Sequence, residues 1–380
     1  MHASAKKVLV IGGGFSGMTA AIELRKLGID VDLVEIDPGW RSYGAGISLG
    51  GATLRAFARI GILDQFMARG AASDGIDICI PTGHKVATLP TPRIAGPAVP
   101  GNGAIMRPVL AAILAEATRA AGARVRLGCT FETIAQDDAG VDVRFTDGSS
   151  GRYDLVIGAD GLYSKVRETL FPDAPRPAYT GQGVWRAVLP RSAAVTGTTM
   201  WLGPKLKVGV NPVSADEIYL FVTEDRPVNT HVAAGELLPA LKDLLSRFPA
   251  PQIASLREQL DEQSQIVFRP LESLLMPRPW YQGRVVLIGD TVHATTPHLA
   301  SGACVGIEDA IVLADEVAGS LTDGASVAAA LERFQQRRWE RCRMVVENSG
   351  RLGQIEITGG DKEEHGRIMR ETLMALAAPI

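Results

Sequence analysis

Three short apolar runs, each leading into glycine, form the most regular pattern of hydrophobic positions in the chain. They lie in residues 7–12, 153–161 ("YDLVIGADG") and 283–290 ("GRVVLIGD"), and the second and third lead into glycine and aspartate. Consecutive apolar residues without polar alternation are typical of strands buried on both faces of a parallel sheet. Because the carboxyl ends of parallel strands lie at one edge, we expect the residues after these runs to meet at one ligand crevice.

The first apolar run leads into a glycine-rich turn. "GGGFSG" places Gly12, Gly14 and Gly17 in GxGxxG spacing, and "MTAAIELRKLG" continues with helix-forming residues. Such glycines permit a tight turn, close approach of the backbone to a pyrophosphate, and close packing of helix on strand. The segment "DVDLVE" then predicts a second strand ending at Glu35, where a carboxylate can accept both ribose hydroxyls of an adenosine. This unit predicts nucleotide binding and leaves NAD and FAD open.

The rest of the chain predicts a sheet-rich part inserted into the nucleotide-binding part. Residues 180–223 are rich in Val, Trp, Tyr and Leu between turn signals, and residues 235–260 carry leucines at helical spacing. Residues 308–352 are predicted to be mostly helical, with "ERFQQRRWERCR" as a solvated helix face. We predict an α/β chain with a Rossmann-like domain, an inserted β-sheet substrate domain and a helical C-terminal segment. The predicted ranges are 1–70, 101–175 and 275–380 for the nucleotide domain, and 71–100 and 176–274 for the substrate domain.

Composition and charge narrow the class of partner. The 380 residues are 46% hydrophobic, enough for one large core or two moderate ones. A net charge of −3 with interleaved signs gives no basic stripe, so we expect no nucleic-acid partner and no stable membrane association. The four cysteines form no CxxC pair, which predicts no metal site and favours a reducing, cytoplasmic location. The charged segment after the first glycines disfavours a signal peptide.

Three longer motifs stand in the order and at the separations found in one known family. "GGGFSG" with Glu35 matches its ADP-binding motif, "DLVIGADGLYSKVR" its Asp-Gly motif, and "GDTVHATTPHLASGACVGIEDA" its Gly-Asp motif. On these motifs the chain resembles the single-component FAD-dependent aromatic hydroxylases of the para-hydroxybenzoate hydroxylase type. It is most similar to the short members that act on hydroxylated pyridines, quinolones and purines. It departs at Ala300 and Ser301, where the family usually has glycine and glutamine.

The resemblance implies a flavoprotein monooxygenase that binds FAD and uses NADH or NADPH transiently. In the implied cycle NAD(P)H reduces FAD, O₂ adds to the reduced ring, and a flavin hydroperoxide hydroxylates a small electron-rich aromatic or N-heteroaromatic substrate. No side chain has to act as a nucleophile. The sequence leaves open the identity of the substrate, the position hydroxylated, loss of a substituent, NADH versus NADPH, and whether the chain is a monomer or a homodimer.

The predicted cofactor-binding residues follow from the motifs. Asp290 is expected to accept a hydrogen bond from a ribityl hydroxyl, and capping of the following turn is the alternative. A helix that begins near Gly302 is expected to direct its N-terminus, with its partial positive charge, toward the flavin. The predicted set is Gly12, Gly14, Ser16, Gly17, Glu35, Arg41, Ile47, Arg107, Asp160, Asp290, Gly302 and Ala303.

His293 and Pro297 are the predicted catalytic residues. An imidazole titrates near neutral pH, so His293 is expected to ionise or orient the substrate, and a structural histidine is the alternative. Pro297 is expected to keep its loop non-helical, so that backbone atoms face the flavin ring. His298 is expected to be exposed, and two histidines without a carboxylate cluster do not predict a metal site.

The predicted substrate-binding residues lie in the flavin loop and on the predicted sheet. Arg186 is expected to bind an anionic group, with a salt bridge on the sheet as the alternative. Ser48 is small and indicates space beside the flavin. Trp201 and Tyr219 are expected to form the wall of the substrate pocket, and packing in an aromatic core is the alternative for both. The set is Ser48, Arg186, Trp201 and Tyr219.

Other functions that this fold could have predict different properties of the protein. A flavin-dependent dehydrogenase or reductase would not require O₂. A plain NAD-dependent dehydrogenase would need only the first motif and would be colourless, and a non-catalytic nucleotide-binding module would not need three strand ends at one crevice. We therefore expect an NAD(P)H-consuming FAD-dependent monooxygenase, with the reductase as the alternative.

Overall fold

The computed structural model describes residues 6–42, 44–322 and 326–380. Residues 1–5 of the first predicted domain range therefore lie outside the described residues. Within the described ranges a parallel sheet covered by helices is joined to a larger, mostly antiparallel sheet, and helices follow at the C-terminal end. The predicted fold class is confirmed, including the inserted sheet and the helical C-terminal segment.

The strands of the described residues form four sheets, and two of these sheets position the site. The other two are three-stranded, in the orders β11-β10-β9 and β3-β7-β4. The strands are β1 (Lys7–Ile11), β2 (Asp30–Glu35), β3 (Gly46–Gly50), β4 (Ala71–Ser73), β5 (Ile76–Cys79), β6 (Lys85–Leu89), β7 (Asn102–Met106), β8 (Arg124–Leu127), β9 (Phe131–Gln136), β10 (Val141–Phe145), β11 (Ser150–Tyr153), β12 (Leu155–Gly158), β13 (Ala178–Pro190), β14 (Thr198–Gly203), β15 (Leu206–Pro212), β16 (Glu217–Asp225), β17 (Ile266–Ser273), β18 (Tyr281–Gln282) and β19 (Val285–Leu287).

The helices include three long ones in the C-terminal part of the described chain. Short 3₁₀ helices lie at Ala234–Glu236 and Pro297–Leu299. The α-helices are α1 (Phe15–Lys26), α2 (Gly51–Ile60), α3 (Leu63–Arg69), α4 (Arg107–Ala120), α5 (Lys165–Leu170), α6 (Leu237–Ser246), α7 (Pro251–Gln259), α8 (Asp290–His293), α9 (Gly302–Thr322), α10 (Val327–Thr358) and α11 (Lys362–Ala377).

The three apolar runs become neighbours in a six-stranded sheet of order β18-β19-β12-β1-β2-β8. Strands β19, β12, β1, β2 and β8 pair in parallel, so their carboxyl ends lie at one edge as predicted. The side chains of β1, β12 and β19 are almost wholly buried, in a core to which α1, α4, α9 and the three-stranded sheet β9–β11 contribute residues. Burial on both faces explains why these strands read as continuous apolar runs.

The second large sheet has seven strands in the order β17-β13-β16-β15-β14-β5-β6. One face packs its apolar residues against α6 and α7 and forms a separate core. The opposite face carries polar and aromatic residues, because successive side chains of a strand point to opposite faces. All seven strands fall within the two ranges predicted for the substrate domain, whose boundaries stay a prediction.

Helix α10 connects the two large sheets through side-chain contacts at both of its ends. Near its start the Glu332 carboxylate accepts a hydrogen bond from the hydroxyl of Tyr281 on β18 (3.0 Å). Near its end Glu356 pairs with Lys207 of β15 (2.6 Å). Within residues 6–42, 44–322 and 326–380, no helix combines the length and the apolarity needed to cross a bilayer.

Candidate active site

A cavity of about 690 Å³ is lined by residues of both large sheets. One end is formed by the glycine turn and by the end of β2. The start of α9 and the loop before it lie along its length, and the polar face of the seven-stranded sheet forms the other end. The predicted residues that line it are Gly14, Ser16, Glu35, Arg41, Ile47, Ser48, Arg107, Arg186, Tyr219, Asp290, Pro297, Gly302 and Ala303.

The three glycines of the turn divide into one that faces the cavity and two that shape the backbone. Gly12 has φ +108°, and a Cβ there would lie 2.3 Å from the carbonyl oxygen of Ala159. A Cβ on Gly17 would lie 2.0 Å from the carbonyl oxygen of Gly12. A Cβ on Gly14 would meet nothing within 4 Å, so its backbone is open to the cavity. Gly12 and Gly17 do not line the cavity. The close contacts at their Cβ positions show that they act by permitting the turn and the packing of α1.

Glu35 is fixed at the cavity end by backbone donors. Its Oε2 accepts from the N–H of Gly13 (2.7 Å) and its Oε1 from the N–H of Asp37 (2.8 Å). The indole N–H of Trp40 donates to the carbonyl oxygen of Gly13 (2.8 Å) and holds the turn against this segment. Each carboxylate oxygen keeps a second lone pair, so both remain able to accept from a ligand hydroxyl.

Asp290 faces the cavity because the chain turns at Gly289 directly before it. Gly289 has φ +65°, and its N–H donates to Oδ2 of Asp309 on α9 (3.0 Å). Nε2 of His293 lies 2.5 Å from the same oxygen, and Nε of Arg338 donates to Oδ1 (2.7 Å). The Asp309 carboxylate thus ties the strand end, α8 and α10 together and fixes the position of Asp290.

His293 is wholly buried and lies outside the cavity lining. Burial acts to lower its pKa, but the charge of Asp309 opposes this, and the pKa of His293 lies well above its usual range. Burial likewise acts to raise the pKa of Asp309, but the charges of His293 and Arg338 hold that pKa at about 2. A direct catalytic role for His293 does not fit this placement, whereas the structural alternative does.

The same cluster does not fit a metal ion. Donor atoms of His293, Asp309 and Cys342 lie within 4.8 Å of one another. Arg338, however, already donates to Asp309 and lies 3.6 Å from the Cys342 sulfur. Its positive charge occupies the place that a cation would need.

Asp160 caps a helix and does not face the cavity. Its Oδ1 accepts from the Ser164 hydroxyl (2.5 Å), and its Oδ2 accepts from the N–H groups of Lys165 (2.8 Å) and Val166 (3.1 Å). The predicted cofactor contact is corrected in this respect, because both carboxylate oxygens serve the N-terminus of α5. The neighbouring Gly161 lines the cavity instead.

The loop before α9 contains Ala300 and Ser301, the two positions where the sequence departs from the family that it resembles. Ala300 adopts φ +49°, a left-handed conformation that glycine accommodates more easily. The Ser301 hydroxyl donates to the carbonyl oxygen of Leu299 (2.7 Å) and stays within the loop. Gly302 and Ala303 then begin α9 at the cavity wall, as predicted.

The sheet end of the cavity carries hydrogen-bonding groups with unused capacity. Nε of Arg186 donates to the Tyr219 hydroxyl (3.0 Å), and the Asn211 amide donates to the Ser48 hydroxyl (2.6 Å). Oδ1 of Asn211 and the Thr223 hydroxyl are buried without a hydrogen-bond partner in the described part of the chain. No ion-pair partner of Arg186 is found there either, so the predicted salt-bridge alternative is not supported.

Trp201 lies on the other face of the same sheet. It belongs to the core against α6 and α7 and does not line the cavity. The neighbouring Met200 lines the cavity because side chains alternate along β14. The predicted contact of Trp201 with substrate is therefore corrected, and its core-packing alternative holds.

Four residues at this end were missed or misplaced by the sequence reading. The His298 side chain is only 1% exposed and lines the cavity, so its predicted exposure was wrong. Lys207 and Asn211 share a face with Tyr219, and spacing by two along the strands would have found them once that face was known. Glu356 on α10 reaches Lys207 from distant sequence, and no local pattern indicates it.

Comparisons with known proteins agree with this geometry. Residues 5–349 match a protein family described as FAD binding domain. The chain is 33% identical over 360 residues to an aurachin C monooxygenase/isomerase of Stigmatella aurantiaca (92% of this chain, 89% of that protein). It is 33% identical over 357 residues to a 2-heptyl-3-hydroxy-4(1H)-quinolone synthase of Pseudomonas aeruginosa (92% and 90%). The crystal structure of Klebsiella pneumoniae HpxO with FAD and uric acid superposes with TM-score 0.82 at 25% identity (98% and 97%).

Proposed function

The chain belongs to the FAD binding domain family and is an FAD-dependent monooxygenase of aromatic or heteroaromatic compounds; we propose that it hydroxylates a hydroxylated N-heteroaromatic ring with electrons from NADH or NADPH. The observation that carries the proposal is the single continuous cavity. One end of this cavity, at Glu35, has the features of a dinucleotide-binding site. The other end is a sheet face with buried polar atoms that have no hydrogen-bond partner in the described part of the chain.

The residues at the first end fit FAD. The open backbone at Gly14 and the start of α1 offer N–H groups to a pyrophosphate, and Glu35 offers acceptors to the adenosine ribose. Asp290 is proposed to accept from the ribityl chain, and the start of α9 at Gly302 supplies partial positive charge to the flavin end. When bound, FAD supplies electron transfer from the nicotinamide and activation of O₂.

The residues at the second end fit a flat, polar ring. Met200, Phe221 and Pro297 contribute apolar surface. Oδ1 of Asn211 can accept from a ring N–H or O–H, and the guanidinium of Arg186 can donate to a carbonyl or carboxylate oxygen. A site with buried polar groups of this kind selects ligands that satisfy them and rejects apolar analogues. The names of the relatives and of the HpxO complex, which include a quinolone and uric acid, support this class.

The side chains have three tasks in this proposal. They orient the ring, exclude water from the reacting face, and remove a proton from a ring substituent. Loss of this proton makes the ring more electron-rich. No cavity residue has to form a covalent bond with the substrate. NADH or NADPH reacts and leaves, as a transient partner.

The test begins with the absorption spectrum of the purified protein after reconstitution with FAD. NADH and NADPH oxidation in air is then measured with a panel of hydroxylated pyridines, quinolones, purines and, for comparison, benzoates. We expect bound flavin and faster oxidation with an N-heteroaromatic compound, which gains oxygen. Equal NADH oxidation with another acceptor in the absence of O₂, and no oxygenated product, would favour the reductase instead.

A further inference from the structure

His298 is the one imidazole that lines the cavity among the described residues. It lies on the 3₁₀ turn between α8 and α9, with its side chain 1% exposed. Its Nδ1 lies 2.9 Å from the hydroxyl oxygen of Thr296, which also lines the cavity. A hydroxyl at the wall is thus connected directly to an imidazole behind it.

A carboxylate and a second imidazole continue this connection to the surface. Nε2 of His298 lies 3.4 Å from Oε2 of Glu356 on α10 but has no hydrogen-bond partner in the described part of the chain, and Nε2 of His365 on α11 lies 3.4 Å from Oε1 of Glu356. The His365 side chain is 25% exposed. Thr296, His298, Glu356 and His365 therefore form one line of groups, which we name the relay, from the cavity wall to solvent.

The charges around the relay favour a neutral His298 beside an ionised Glu356. Burial lowers the pKa of His298, with Glu356 acting against this and with Lys207 and His365 adding to it. Burial acts to raise the pKa of Glu356, but Lys207, 2.6 Å away, helps to hold that pKa well below its usual range. A neutral imidazole can take up a proton, and the adjacent carboxylate stabilises the imidazolium that results.

We propose that the relay removes the ring proton of the substrate. A ring O–H or N–H gives its proton to the Thr296 oxygen while the Thr296 hydroxyl proton passes to Nδ1 of His298. The imidazole of His298 then closes the 3.4 Å gap to Oε2 of Glu356, and its Nε2 proton leaves through Glu356 and His365 to water. One proton leaves the substrate, one proton reaches solvent, and no electron moves. This inference rests on the proposed function, since it requires a substrate whose ring carries an acidic proton.

The experiment compares the holoenzymes of wild type, H298Q, E356Q and H84Q with the compound that the panel identifies. His84 lies exposed in the turn between β5 and β6, so H84Q is a matched histidine control. The turnover number and KM are measured across the pH range that spans the pKa of the free compound. Flavin content and melting temperature report whether each variant is folded.

We expect H298Q to lower kcat about 100-fold near neutral pH, the scale of a lost proton transfer, with little change in KM. The defect should shrink as pH rises through the pKa of the compound, because the bound ring is then already ionised. In wild type, kcat should fall on the acid side as His298 becomes protonated. E356Q should move this acid limb to lower pH, because the carboxylate raises the pKa of His298.

Two outcomes would overturn the relay while leaving the proposed function intact. One is an H298Q variant that behaves like H84Q at every pH. The other is an H298Q variant whose loss is the same at every pH, which is the mark of a purely structural residue. A folded, flavin-bound wild type that hydroxylates no compound of the panel would instead defeat the proposed function, and the relay with it.

Discussion

Asp290 and His293 are the first and last residues of the short helix α8, and they have opposite surroundings. Asp290 is exposed to the cavity, whereas His293 is fully enclosed and bonded to Asp309. Removing one member of a buried ion pair leaves the other charge uncompensated, which costs about 3–5 kcal/mol. His293 therefore contributes to the stability of this loop and not directly to the reaction.

The His293 pair predicts a pH-dependent stability. The pKa of His293 is raised in the folded state, so its contribution is complete below the unfolded value of about 6.5 and declines as pH rises through the folded pKa. Urea unfolding of wild type and H293Q should give a larger difference in unfolding free energy near pH 6 than near pH 10. A difference that does not change with pH would contradict the assignment of a charged His293.

Replacing Ala300 by glycine is expected to stabilise the protein. Its φ of +49° costs a residue with a Cβ about 1–2 kcal/mol relative to glycine, partly offset by the greater entropy of an unfolded glycine. A300G should therefore raise the free energy of unfolding by about 0.5–1 kcal/mol. The matched control is A303G in the first turn of α9, which should lower it. A destabilised A300G would show that this loop is not strained.

At the scale of elements, the alternation of β-strands decides which aromatic residues reach the cavity. Tyr219 pairs with Asn211 and Val188 on the cavity face, whereas Trp201 pairs with Val208 on the core face. A propensity pattern predicts a strand but not which of its faces is covered by α6 and α7. This is why the sequence assigned Tyr219 and Trp201 to one site and only Tyr219 reaches it.

This difference between faces predicts a separation of effects. Y219F removes the hydroxyl that holds the Arg186 guanidinium at the cavity wall. The proposed hydrogen bond from Arg186 to the substrate is a charged one, worth about 1.5–3 kcal/mol, and it loses its orientation, so KM should rise about 10-fold. W201F should lower the melting temperature and leave KM close to wild type. Steady-state kinetics and thermal unfolding measured on the same samples decide. A KM effect of W201F equal to that of Y219F would contradict the assigned faces.

The close contact of α1 with α9 depends on glycine. A Cβ on Gly306 would lie 2.4 Å from the hydroxyl oxygen of Ser16 but 3.7 Å from its Cβ. G306A should therefore destabilise the protein by about 1–3 kcal/mol, and S16A should recover much of this loss in the double variant. Thermal unfolding of both single variants and the double variant measures the coupling. If the two substitutions have additive effects on stability, the Ser16 hydroxyl does not clash with the methyl group that G306A introduces.

For the whole molecule, the sequence predicted what depends on local pattern and motif order. The parallel strands, the glycine turn, Glu35, and the facing of Asp290 and Gly302 toward one cavity all follow from short segments. What it missed depends on contacts between distant segments. Asp309 and Arg338 enclose His293, and Glu356 reaches the wall behind His298 from α10.

The central claim is that the two ends of the cavity act together, so that a ring held against the sheet receives oxygen from O₂ at the flavin end. The most direct test is a single turnover under isotopically labelled dioxygen with the compound that most accelerates NADH oxidation. Mass spectrometry of the product then identifies the source of its new oxygen atom. We predict that this oxygen carries the label of the gas. A product that carries oxygen from water, or an oxidised product without added oxygen, would contradict the monooxygenase reaction proposed here.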